Sequence, residues 1–84
     1  MAQQKRFAIA NVAETAIEGH RFVSFDVAMH GHLISTIDAP LLSGRILWSH
    51  AAFHGFGDFD SAEQHLIDHQ VGHALSPARP PRGH

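Results

Sequence analysis

The strongest constraint on this chain is a pair of acids three residues apart, Asp60 and Glu63, at the head of an apolar-periodic run. An Asp at the N-cap accepts from the free N–H groups of the first helical turn, and a Glu three residues on reaches back to the cap's own N–H. Both carboxylates also face the positive end of the helix dipole. Behind them Leu66, Ile67, Val71, Ala74 and Leu75 recur at helical spacing and predict one broad apolar face. Pro77 ends the run, because its ring and missing N–H cannot continue a helix. The pattern predicts a helix from about Ser61 to Leu75, with the rest of the chain supplying the layer that covers it.

That layer reads as a sheet. From Arg6, residues Phe7, Ile9 and Asn11 alternate with Ala8, Ala10 and Val12, a first strand that continues more weakly toward Ile17; Ala13 to Ile17 also fits a short helical turn. Glu18-Gly19-His20 is a turn signal. Arg21 to Met29 has the clearest period of two, with Val23, Phe25, Val27 and Met29 on one face and Phe22, Ser24, Asp26 and Ala28 on the other. After His30-Gly31-His32, residues Leu33, Ser35 and Ile37 alternate with Ile34, Thr36 and Asp38, a third strand expected to end at Asp38-Ala39-Pro40. Leu41-Leu42-Ser43-Gly44 reads as a loop. Arg45 to Phe53 reads as a fourth strand, favoured over a helix by Trp48 and by the glycine turn Gly55-Phe56-Gly57. The expected fold is therefore α+β: a three- to four-stranded antiparallel meander packed against one C-terminal helix. Residues 1–76 are expected to form a single small domain, with the proline-rich segment 77–84 expected to be a flexible tail.

Composition bounds the function. The chain has 84 residues and no cysteine, so disulfides and thiolate metal sites are excluded. A small fold without disulfides suits the cytoplasm. The opening Met-Ala-Gln-Gln-Lys-Arg lacks a signal-peptide apolar segment, and no apolar run approaches the ~20 residues of a membrane span. The formal net charge is −2, but between residues 7 and 78 only Arg21 and Arg45 oppose eight acids, which leaves that body at −6. Direct nucleic-acid binding needs clustered Lys and Arg, which this body lacks.

Nine histidines are the compositional outlier, and three of them, His65, His69 and His73, form an i, i+4, i+8 row beside the helix's apolar face. Neighbouring imidazoles one turn apart can ligate one metal, but His65 and His73 lie roughly 12 Å apart along a helix axis, too far to share an ion. A site built on one pair would recruit Asp68, Asp58, His50 or His54. On a strand His50 and His54 would be roughly 13 Å apart; on a helix they would pair. Zinc or another divalent transition metal is thus the alternative cofactor to none at all, and a polar helix face that happens to be histidine-rich is the simpler explanation. No HExxH, no dinucleotide fingerprint around Gly55-Phe56-Gly57 and no nucleophile motif is present, so the chain reads as non-enzymatic. Trp48, Phe53, Phe56 and Phe59 cluster around the strand-to-helix corner; core packing is the default for them, and any left exposed are binding anchors. With one helix, one sheet face is expected to be bare, with Ser24, Asp26, Ala28 and Ser35 or Thr36 on it, open to a partner or to a second copy of the chain.

The run Gly-Asp-Phe-Asp-Ser-Ala-Glu-Gln, residues 57–64 following a short meander, resembles the helix start of many small bacterial and phage-encoded proteins. Among these it is similar to small anti-CRISPR inhibitors built from a sheet and one or two helices. The resemblance implies a protein that binds and blocks a larger partner, and it carries no residue roles. An acidic body suits a basic partner surface, such as the channel of a nucleic-acid-handling complex. The residues expected to meet that partner are Asp26, Trp48, Phe56, Asp58 and Asp68.

Overall fold

The computed structural model describes residues 7–75. The expected tail at 77–84 lies outside that range. The chain runs through β1 (Phe7–Ile17), β2 (His20–Met29), β3 (His32–Leu42), β4 (Arg45–Ile46), a 3-10 turn (Trp48–His50), β5 (Ala52–Gly55) and α1 (Ser61–Leu75). The sheet is antiparallel throughout, in the order β1-β2-β3, with β4 and β5 sharing the far edge of β3. The helix packs on one face, chiefly over β1 and also against β4. This is the α+β layout of a meander and one C-terminal helix. No helix among the described residues is long and apolar enough to cross a membrane.

Three two-residue turns set the meander. Glu18-Gly19, His30-Gly31 and Ser43-Gly44 each place both residues at positive φ, from 52° to 82°. Two successive left-handed residues make the type I′ turn, whose twist matches that of the flanking strands. Each turn closes a tight pair: Ile17 opposite His20, Met29 opposite His32, and Leu42 opposite Arg45. The Leu41–Gly44 stretch is therefore the end of β3 and a hairpin turn rather than a loop. Pro40 also sits within β3, opposite Phe22, and does not end it. Its carbonyl accepts from Leu47 N–H at 2.9 Å, which turns that residue's backbone groups away from β2, so the ladder to β2 needs no donor from it.

Two bulges move side chains between faces. Between Ala10 and Ala13 β1 carries one residue more than β2, and Asn11 takes φ 55°. The extra residue shifts the alternation by one. Val12 thus joins Phe7 and Ile9 toward the core, and Asn11 turns to the bare face, the reverse of the sequence expectation. Ala13 to Ile17 continue as strand, not as a helical turn. A second bulge at Ile34 puts Leu33 opposite Ala28, so Leu33 leaves the Ser35 and Ile37 row and is 65% exposed.

The buried core comprises Phe7, Val23, Phe25, Val27, Ile37, Ala39, Ile46, Phe59, Ile67 and Val71. Ser35 is buried among them, opposite Val27, and so does not belong to the bare face. The helix spans the expected residues and its capping box is complete: Glu63 N–H donates to Asp60 Oδ1 at 2.8 Å, and Asp60 N–H donates to Glu63 Oε1 at 2.9 Å. Closing that box draws Glu63 inward, so the buried stripe is Glu63, Ile67 and Val71 at i, i+4, i+8. Leu66 and Ala74 fall outside it, and the apolar face is narrower than their spacing suggests.

Candidate functional site

The stretch from Arg45 to Phe53 is not the single strand its alternation predicts. After two residues of β4, Leu47 turns back to Pro40, and His50 N–H and Ala51 N–H close the 3-10 turn onto the carbonyls of Leu47 and Trp48. A continuous strand would put Trp48 and His50 on one face. The turn separates them: Trp48 folds inward and His50 faces solvent. Trp48 stacks on Phe53 at 6.2 Å and 17°, and it also meets Phe59 at 6.4 Å.

Phe59 is the hub of this corner. It contacts Phe7 edge-on at 5.8 Å, Phe53 at 6.1 Å and Phe56 edge-on at 5.0 Å and 87°. Such edge-to-face pairs place ring hydrogens against a negative ring face, a favoured arrangement. Gly55 makes the corner feasible. It takes φ 130°, and a Cβ there would lie 2.5 Å from the Ile34 carbonyl oxygen. Phe56 N–H then donates to that same oxygen at 2.9 Å, anchoring the end of β5 at the bulge. At Gly57 a Cβ would lie 2.7 Å from the Phe53 ring. Phe56 is thus held by its backbone while the residue is 46% exposed, with the exposed Asp58 two residues on.

The five residues expected to contact a partner are not brought together. Phe56 and Asp58 share the corner, and Trp48 supports it from below. Asp26 lies on the bare sheet face, where Asn11 Nδ2 donates to it at 2.7 Å and Thr36 Oγ1 at 2.8 Å. Those two hydrogen bonds, the Asn11 bond foremost, hold its carboxyl below the usual carboxylate range. Asp26 thus ties the β1 bulge to β3. Asp68 lies on the helix flank against β4, accepting from Ile46 N–H at 3.4 Å, with Arg45 Nε at 3.9 Å.

The bare face is built from cross-strand rows of side chains. Its rows run Ala8, Ala28, Leu33; Ala10, Asp26, Thr36, His54; and Ala13, Ser24, Asp38, Ala52. His54 Nε2 and Asp38 Oδ2 are 3.0 Å apart, tying β5 to β3. Farther out, Arg21 pairs with Glu14, and that hydrogen bond lowers the Glu14 carboxyl and raises the guanidinium.

The histidines separate into different settings. His50 Nδ1 lies 3.1 Å from Ser49 Oγ, and His54 is engaged by Asp38; neither lines the groove beside the helix row. His65, His69 and His73 are exposed along the helix, and the His69 and His73 rings stack 6.0 Å apart at 22°. They line a groove of about 370 Å³ with Asp68, Gly72, Gly44 of the third turn and Arg45 of β4. Among the described residues no three His, Asp or Glu side chains converge as a metal site. Sequence reasoning missed Gly44 and Arg45, which reach the groove only because the third type I′ turn folds β4 against the helix. It missed Leu33 as well, because no local signal marks the Ile34 bulge.

The fold and corner define a small two-layer α+β domain that presents an aromatic ring at a strand-to-helix junction. Comparisons with protein-family models, with curated proteins and with solved structures found no match.

Proposed function

We propose that this chain is a non-enzymatic protein-interaction module whose contact surface centres on Phe56, and that it acts by occupying a basic surface on a larger protein. The observation that carries this reading is the 46% exposure of Phe56 on a backbone pinned at Gly55 and at the Ile34 carbonyl. A rigidly held, half-exposed aromatic loses little conformational freedom on binding and suits the role of an anchor. Asp58 beside it, and the net −6 of residues 7–78, favour a cationic partner. Inhibition by blocking is the form of action that the resemblance of residues 57–64 implies. Among the described residues Ser49 sets a hydroxyl beside the His50 imidazole, but both are exposed and the contact adds no catalytic reading.

The test is capture from the native host's extract with wild type, Phe56→Ser and Asp26→Asn. The expected result is a stoichiometric partner whose binding weakens as salt rises, is lost with Phe56→Ser and is kept with Asp26→Asn. Equal recovery by wild type and Phe56→Ser would overturn the assignment.

A further inference from the structure

The histidine row carries a separate inference. His65, His69 and His73 stand on successive turns of α1, each exposed, so their rings are free to change rotamer. Neighbours four residues apart are separated by ~6 Å along the axis, whereas the outer two are ~12 Å apart. An imidazole nitrogen ligates zinc at ~2.0–2.1 Å, which puts each ring centre about 3 Å from the ion and two ligating rings about 4.5–5.5 Å apart. The His69 and His73 rings stack 6.0 Å apart at 22°, so ligation needs each exposed ring to turn a nitrogen toward a common point as well as to close by about an ångström. Gly72 leaves the adjoining groove open: a Cβ there would have nothing within 4 Å.

We propose that this face binds one divalent transition-metal ion of the nickel, copper and zinc series, with His69 as the shared ligand. The ion is held by His69 together with either His65 or His73, and water fills the remaining positions. The one-ion limit follows from the geometry, since both pairs use His69. Asp68 is not a ligand in this arrangement, because its carboxylate is turned to Ile46 N–H and Arg45. Two neutral nitrogen donors without a carboxylate favour nickel, copper and zinc over magnesium and calcium, which require oxygen ligands. The site lies on the exposed side of the helix and does not depend on the aromatic corner.

The experiment is isothermal titration of the untagged full chain with nickel chloride and, separately, zinc chloride, with magnesium chloride as control. Wild type is expected to bind one ion of nickel or zinc and no magnesium. His69→Ala should lose at least about tenfold in affinity, while His65→Ala and His73→Ala should each lose less than that, since one pair remains in each. The rings are exposed, so all three variants should unfold at the wild-type temperature without metal, which separates loss of ligation from loss of fold. Undiminished binding by His69→Ala, binding of two ions per chain, or no binding by wild type at millimolar metal overturns the proposal.

Discussion

The meander from Phe7 to Leu42 and the segment from Arg45 to Phe59 are built on different principles. In the meander, period-two strands of ten or eleven residues are joined by two-residue turns, and the turns dictate the register. In the segment, a two-residue strand, a 3-10 turn and a four-residue strand succeed one another, and what they share is the Phe59 cluster. The meander, its two bulges apart, is specified locally, and the segment by what it packs against. The corner proposed to meet a partner belongs to the second kind.

The sharpest way to break this contrast is Phe59→Ala. Loss of a buried phenylalanine should cost about 3–5 kcal/mol, because Phe7, Trp48, Phe53 and Phe56 all pack on it. Denaturant unfolding measures it, and a cost below about 1 kcal/mol would mean that the corner is not held by this ring.

The glycines test the same division. Gly31→Ala sits in open space and bears only the left-handed φ, about 1–2 kcal/mol. Gly55→Ala adds a 2.5 Å collision with the Ile34 carbonyl, so it should be the more destabilising of the two in paired melts. Equal losses would mean that the β5 end can shift away from β3 at little cost.

Asp60→Ala removes one half of the capping box and should cost about 1 kcal/mol, with Asp60→Asn largely sparing it. A thermal melt of each variant decides.

The smallest effect is on the bare face. The Asp26 carboxyl is lowered in the fold, so its contribution is complete above the unfolded value of ~3.9 and is lost as pH falls through the depressed folded value. Asp26→Asn should therefore flatten the loss of stability below about pH 4. Glu14, lowered by Arg21, acts in the same direction. An acid titration of stability as steep in Asp26→Asn as in wild type would remove Asp26 from this role.

The same contrast explains what could be read from the sequence. The helix was legible, because Asp60 and Glu63 state its start locally and the apolar spacing carries it to Leu75. Arg21 to Met29 was legible because its alternation is unbroken. The bulges were not, since Asn11 and Ile34 fit an ordinary strand as well as a bulge and only the cross-strand register exposes them. The helix's buried stripe was misjudged because Glu63, a charged residue, turns inward when it caps. Of the candidate site, Phe56 and Asp58 were legible as neighbours at the corner. The separation of Asp26 and Asp68 from them depends on the whole topology. The strand expected across Arg45 to Phe53 failed because burying Trp48 against Phe53 and Phe59 outweighs a period-two pattern.

The most direct test of this account is residue-resolved amide hydrogen exchange on the purified protein. Amides of β2 and of the β3 residues paired to it should exchange slowest, near the global unfolding limit, while those from Arg45 to Gly57 exchange faster through local opening. Exchange in Arg45 to Gly57 as slow as in β2 would contradict the division into a locally specified scaffold and a corner held by packing.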